Sequence, residues 1–344
     1  MHTTYATDLS TTLLFCLEHS IDFATQGGGR ATSGASSSDG GIVIDLSEMR
    51  DVTVSPVDKT ITAQDVGANG LTIDDLLSVR IVLANGSIIR SSETENADLF
   101  WALRGAGQSF DVVTEFTYRA HPQPNPVWAG TLIFSPGKLV PLTAFTNHLS
   151  SISHPKVAII IGFAAPAPLH TPLLLAVVLY NGPKAAALSL FEPLLSLNPV
   201  MKEIFIIPYS AANSLLNPGT AHSRRKVTIE SVFTYSIRPQ FVRSLFNKFI
   251  TFLQETPDVG ASMLGFEIYS TDKICQVSNQ AMAFANRGTY GSSCMPITWT
   301  QKENDFNCRV WARKLSKHFK SELEPRKKRM RGQAGDGGRG RVWL

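Results

Sequence analysis

The chain has 344 residues, 43% hydrophobic and 17% charged, the proportions of a folded protein with room for a sizeable core and for two domains. Its net charge of +4 is unevenly placed. Seven of the 32 basic side chains (Arg326, Lys327, Lys328, Arg329, Arg331, Arg339 and Arg341) and one of the 28 acids (Asp336) lie in Pro325–Leu344, which leaves 25 basic against 27 acidic and a body of net charge −2. That balance argues against a nucleic-acid-binding body and, with no apolar run near the roughly 20 residues a bilayer span needs, against a membrane protein.

The N-terminal MHTTYATDLSTTLLFC has no basic stretch ahead of its short apolar segment, so the expectation is no signal peptide and, by default, a cytoplasmic location. Leu9, Leu13, Leu14 and Leu17 recur at helical spacing and predict a helix over Thr7–His19, with Asp8 placed to complement its dipole. A short strand at Ile21–Thr25 follows, then QGGGRATSGASSSDGG, then IVIDL, whose Ile42, Val43, Ile44 and Leu46 suit a buried strand. The glycine-rich stretch has two readings. One is an ordinary surface loop. The other is a backbone nest for phosphate oxygens, since consecutive glycines let amides converge and Ser33, Gly34, Ala35 and Ser36 permit close approach. It is neither GxGxxG opening a helix nor GxxxxGK[ST], so dinucleotide-fold and P-loop readings fail on context.

Strand-like VTVS from Val52 and TITAQDV from Thr60 are joined by the turn PVDK. LTIDDLL predicts a short helix, followed by strands Val79–Leu83 and Ser87–Arg90 joined by Asn85-Gly86, the pair favoured in a type I′ hairpin turn. A helix at Ala97–Arg104, the segment GAGQSF and an alternating strand DVVTEFTYRAHP ending at Pro122 complete this half. The boundary is set near Pro122–Pro126. Beyond it the strands are longer and more apolar (KVAIIIGFA, PLLLAVVLYN, ASMLGFEIYS) and alternate with amphipathic helices (AAALSLFEPLLSL, PQFVRSLFNKFITFLQET, ENDFNCRVWARKLSKHFKSELE), the pattern of an α+β layer. The domains expected are 1–122, 123–324 and a disordered basic tail, 325–344, with too little apolar content to offset the entropy of ordering. A basic tail with RG steps reads either as a nucleic-acid or nuclear-import contact or as a solvated tail without a partner. Cys16, Cys275, Cys294 and Cys308 form no CxxC pair or metal-ligand spacing and read as buried thiols.

Three stretches stand in an order that carries a resemblance: QGGGRATSGASSSDGGIVIDLSEMRDVTV, the run from GLTIDDLLSVRIVLANGSIIRSS through DVVTEFTYR, and AFANRGTYGSSC. Together they resemble the FAD-linked oxidoreductases of the berberine-bridge type, flavoproteins with the p-cresol methylhydroxylase (PCMH)-type FAD-binding domain also found in vanillyl-alcohol oxidase. The similarity covers most of residues 6–324. It implies an α+β fold: a partial PCMH-type FAD-binding domain, then a substrate domain whose antiparallel sheet is covered by helices on one face and closes over the flavin ring on the other.

The resemblance further implies that main-chain amides of Gly27, Gly28, Gly29, Ser33, Gly34 and Ala35 wrap the FAD diphosphate, with Gly107, Val112 and Val113 nearby. For Val112 and Val113 a plain core strand is the competing reading. Arg287 and Tyr290, in ANRGTY, are the polar candidates for the catalytic site, against a solvent-exposed strand-end pair. The implied reaction is hydride transfer from a small organic substrate to flavin N5 with oxygen as acceptor. Small-molecule substrate and oxygen are thus the expected partners, with no nucleic acid and no membrane. Three departures stand beside the match. Arg30 occupies the place where many relatives have a histidine bonded to the flavin, and it implies a phosphate contact and non-covalent FAD. TITAQDVGANGLTIDDLL joins two family segments that relatives separate by several tens of residues. The pattern is also lost after ELEPRKK. The alternative function is an inactive, cofactor-poor relative acting at most as a binding protein.

Overall fold

The structure, a computed structural model, describes residues 1–28, 34–55, 57–61, 71–165, 171–217, 224–233, 236–284 and 286–333. The chain divides into two compact units, one of Met1–Pro122 with Lys273–Arg287 and one of Gln123–Asp272 with Gly288–Leu344.

The first unit opens with α1 (Ala6–Glu18), which buries Leu9, Leu13 and Cys16 but leaves Leu14 and Leu17 about half exposed. Strands β1 (Phe23–Gln26) and β2 (Ile42–Asp45) pair in parallel, Phe23 opposite Ile42 and Gln26 opposite Asp45. A parallel pair cannot be closed by a hairpin, because the chain must return to the starting end of the first strand. The glycine-rich loop is that return. Gly41 lets it rejoin the strand: a Cβ there would lie 2.1 Å from the carbonyl oxygen of Asp22.

The five-stranded sheet of this unit comprises β3 (Val54–Ser55), β4 (Thr60–Ile61), β5 (Leu76–Val82), β6 (Ile88–Ser92) and β7 (Val112–Arg119), in the order β3-β4-β7-β5-β6 with every pair antiparallel. The short helix read from LTIDDLL is a single 3₁₀ turn, Thr72–Asp74, and β5 begins earlier than expected, at Leu76. The hairpin between β5 and β6 is present, but its turn is not type I′. Gly86 alone has a positive φ, +79°, and its amide donates to the Leu83 carbonyl, so a tight turn is followed by one left-handed glycine. Of the strand expected from Thr60, Thr60–Ile61 is seen and residues 62–66 lie outside the described residues. Helix α2 (Ala97–Ala106) packs Phe100 and Leu103 on Leu76, Val79 and Ile81.

The second unit is built on a seven-stranded, wholly antiparallel sheet: β8 (Val127–Phe134), β9 (Val157–Ala164), β10 (Leu173–Tyr180), β11 (Met201–Ile207), β12 (Arg225–Phe233), β13 (Met263–Tyr269) and β14 (Gly291–Trp299), ordered β11-β8-β10-β9-β13-β14-β12. Helices α3 (Leu139–Ile152), α4 (Lys184–Leu195), α5 (Pro239–Glu255) and α6 (Asp305–Gln333) bury their apolar faces in one cluster with alternate strand residues such as Ile159, Ile161, Phe163, Leu264, Phe266 and Ile268. The helices share one face of the sheet, as the sequence pattern predicts. Aromatic packing dominates this core: Phe163 lies 5.0 Å from Phe246, and Phe252 stacks on Trp311 at 4.1 Å.

Two expectations are corrected. The sequence pattern groups residues 273–287 with the second half, but they pack with the first unit, because their backbone bonds run to α2 and Arg287 pairs with Asp74. Composition predicts a disordered tail from Pro325, yet α6 continues through Gln333, over a stretch rich in the helix formers Arg, Lys and Met. Residues 334–344 lie outside the described residues. Among the described residues no helix is long and apolar enough to cross a membrane, and no group of His, Cys, Asp and Glu could hold a metal ion.

Candidate functional site

In the first unit, the described part of the crossover loop leaves its backbone open. A Cβ on Gly27 would meet nothing within 4 Å, and one on Gly34 only the Ser37 hydroxyl at 3.9 Å. Gly34 has φ +81°, a conformation that favours glycine, and its carbonyl accepts both the Ser37 amide at 3.0 Å and the Ser37 hydroxyl at 2.8 Å. Gly28 and Ala35 are exposed on either side of the undescribed stretch. Gly29, Arg30 and Ser33 lie within that stretch. Gly107 opens a 3₁₀ turn after α2, again with nothing within 4 Å of its Cβ position. Backbone with no side chain over it is what a diphosphate requires, and Gly27, Gly34 and Gly107 offer it, so the described residues fit FAD in this respect.

Val112 and Val113 begin β7 opposite Val82 and Ile81. Val113 packs with the cluster around Phe100, and Val112 with the one around Leu9 and Ile44. Their side chains therefore serve the core, the reading the strand pattern alone offers.

Arg287 departs from the solvent-exposed reading. Its side chain is only 1% exposed and forms a two-pronged ion pair with Asp74, one arm at 3.1 Å, while Nη1 also donates to the Ile274 carbonyl at 3.1 Å. A guanidinium so engaged is a structural anchor within its unit. Nearby, burial lowers the pKa of Arg104, which lies over the Phe100 ring at 4.3 Å. Tyr290 falls in the second unit, half-buried at the entry to β14, with its amide donating to the Gly288 carbonyl at 3.0 Å. The two candidates belong to different units.

A polar constellation that the sequence reading missed stands on the sheet face of the second unit opposite the helix-packed core. Strand alternation puts Phe266 in the core and Glu267 on the other face, opposite Ile160 of β9 and Ser292 of β14. The Ser292 hydroxyl donates to Glu267 Oε2 at 2.6 Å. On the same face Gly162 and Gly265 stand directly opposite each other, and Cys294 lies opposite Glu230 of β12. Burial, then the charges of Glu267 and Glu230, push the Cys294 thiol up to about 11. The expectation of buried cysteines holds for Cys16 and Cys308, while Cys294 is half-buried and Cys275 exposed. The signal for Glu267 is present in MLGFEIY, where Leu264, Phe266 and Ile268 alternate with Gly265 and Glu267.

Comparison with known proteins bears on the glycine-rich loop and on the fold. Residues 3–66 match the FAD binding domain family. FAD-linked oxidoreductase pgmH of Aspergillus terreus (strain NIH 2624 / FGSC A1156) is 36% identical over 224 residues, 54% of this chain and 46% of that protein. FAD-linked oxidoreductase hasG of Aspergillus fumigatus (strain CBS 144.89 / FGSC A1163 / CEA10) is 25% identical over 348 residues, 85% and 73% of the two chains. The chain spans about half the length of pgmH and of several other curated relatives. Among solved structures, 6-hydroxy-D-nicotine oxidase from Arthrobacter nicotinovorans superposes with a TM-score of 0.75 at 18% identity, covering 93% of this chain and 79% of that one. A berberine bridge enzyme variant described as a reticuline dehydrogenase gives 0.75 at 15% identity, covering 94% and 75%. The fold is thus that of berberine-bridge-type flavoproteins, and the resemblance read from the sequence holds over part of the chain, with FAD as the cofactor it points to.

Proposed function

We propose that this chain is an FAD-dependent oxidoreductase acting on a small organic substrate, with oxygen as the final acceptor. The observation that carries the reading is the open glycine backbone of the crossover loop, within the segment that matches the FAD binding domain. Bound there, FAD would supply hydride acceptance at its N5 atom. The chain's own contribution from this region is positional: the open backbone around Gly27 and Gly34 would hold the diphosphate, and Gly107 would keep side chains away from it. Arg30, in the part of the loop not described, adds a cation for phosphate. Two of the neighbours in fold are named oxidases, for 6-hydroxy-D-nicotine and for xylooligosaccharide, which supports oxygen as acceptor and a small molecule as substrate here.

The test is spectroscopic. Protein incubated with FAD and passed through a desalting column is expected to retain visible flavin absorption, and Gly27→Ala with Gly107→Ala to weaken it at unchanged folding. A colourless eluate would refute the cofactor assignment and support the cofactor-poor alternative.

A further inference from the structure

We propose that the groove between α5 and α6, on the exposed side of the second unit's helices, is a docking site for an acidic amphipathic helix of a partner protein. This surface takes no part in the proposed oxidation, and the docking site stands or falls apart from it.

The two helices run antiparallel, and their side-chain contacts fix the register. Arg238, just ahead of α5, forms a two-pronged ion pair with Glu322, one arm at 2.7 Å. Further along, Ser244 Oγ lies 3.3 Å from His318 Nε2, and Phe252 stacks on Trp311 at 4.1 Å. Position 248 is midway between 244 and 252, so its level on α6 falls midway between 318 and 311, at Lys314 or Leu315. Leu315 is buried in the core, which makes Lys314 the residue that faces Lys248 across the groove. Both lysines are exposed, and Arg243, half-buried, lines the same groove between one and two turns along α5. Burial, then the charge of Lys248, lower the pKa of His318, so the ammonium on α5 acts on α6 from across the gap.

These cations lack counter-ions. Arg225 and Arg238 have Asp305 and Glu322, but among the described residues no carboxylate pairs with Arg243, Lys248 or Lys314. Three like charges around one groove repel one another, and a carboxylate placed among them removes that repulsion. The acid that lines the groove, Glu255, sits at the far end of α5, about 10 Å beyond Lys248 at 1.5 Å per residue.

Shape and charge select the occupant. The groove encloses about 630 Å³ and follows α5 from Gln240 to Glu255, about 22 Å, the length of a helix of about four turns. Trp311 is half-buried and offers an apolar ring beside the cations, so a helix with Glu or Asp toward Arg243, Lys248 and Lys314 and a Leu-like side chain on Trp311 satisfies both features. Nucleic acid fits less well, because Glu255 would meet its phosphates and Trp311 alone does not make a row of stacking rings. A second copy docked by two-fold symmetry would set these cations against their own kind. Residues 334–344 carry Arg339 and Arg341 against Asp336, the same sign as the groove.

The experiment uses the full chain and a fluorescein-labelled helical peptide of Glu, Ala and Leu, with Leu recurring every three and four positions, followed by fluorescence anisotropy. The same peptide with Gln for Glu and a labelled oligothymidylate serve as comparisons. The acidic peptide should bind saturably, and the Gln peptide at least about tenfold more weakly. The double variant Lys248→Glu with Lys314→Glu should lose at least about tenfold in affinity, while Lys202→Glu on β11 binds as wild type does. In wild type the Trp311 indole N–H signal, assigned through Trp311→Phe, should shift as peptide is added. Lys248→Glu alone tests the geometry without any ligand: it turns a repulsion with Lys314 into an attraction and should raise the melting temperature. No saturable binding, equal binding of the Gln peptide, undiminished binding by the double variant, an unmoved Trp311 signal or a lowered melting temperature of Lys248→Glu would each overturn the proposal. Tighter binding of the oligothymidylate than of the peptide would overturn it in favour of a nucleic-acid surface. Should the double variant fail to fold, as judged by circular dichroism, the Gln peptide and the Trp311 signal decide.

Discussion

At the scale of single residues, two ion-binding groups have opposite origins. Arg287 is buried with Asp74, and removing one partner strands the other charge in a low dielectric. Arg287→Met should therefore cost about 3–5 kcal/mol in a urea titration; a loss under about 1 kcal/mol would mean that Asp74 finds other partners. Asp258 is different. Burial pushes its pKa up, but hydrogen bonds from the Thr300 hydroxyl, the amides of Gln301 and Thr300, and Asn304 outweigh it and bring the value down to about 2, from an ordinary 3.8. Because the folded value is the lower one, this carboxylate stabilises the fold above about pH 4, and that contribution is lost as the pH falls toward 2. Asp258→Asn should flatten the acid limb of a melting-temperature profile in that window. An acid limb identical to wild type would show that other carboxylates govern it.

At the scale of elements, the first unit takes in a segment from far along the chain. Ala283 and Phe284 donate their amides to the carbonyls of Trp101 and Arg104, at 3.1 and 2.9 Å, and the Trp101 indole donates to the Gln280 carbonyl at 2.9 Å. Gly105 makes the approach possible. It has φ +138°, and a Cβ there would lie 2.1 Å from the Phe284 nitrogen. Gly105→Ala should consequently cost the Ala283 and Phe284 amides their hydrogen-exchange protection, while the amides of β9 and β10 keep theirs; retained protection at Phe284 would show that the segment is held by Arg287 alone. Little of this is legible in the sequence. Helices and long strands are, because each carries its own period, and Glu267 is reachable through the alternation of β13. The Arg287–Asp74 pair is not, since nothing local to either residue announces a partner more than two hundred positions away. The Asn85-Gly86 pair announces a turn but not its type, because the dipeptide suits more than one hairpin loop.

At the scale of the whole molecule, a chain that covers about half of several relatives keeps the elements of the fold while departing from the resembled pattern around the flavin attachment points. Covalent attachment needs a nucleophile. By the resemblance, Arg30 stands where many relatives have a histidine, and a guanidinium stays protonated and cannot attack a carbon. Of the cysteines, Cys16 is wholly buried on the packed side of α1, and Cys308 is buried in the core of the second unit. Cys294 has its thiol pushed up to about 11, which leaves almost no thiolate at neutral pH, and Cys275 lies in the segment of the first unit that contains Arg287, away from the glycine loop in sequence. FAD should therefore be held by hydrogen bonds and charge alone. Acid precipitation of the flavin-loaded protein is expected to leave the yellow colour in the supernatant and a pellet without flavin fluorescence. A fluorescent pellet would mean that one of these thiols, or a residue of the undescribed loop, makes the bond, and tryptic mass mapping of that pellet would identify it.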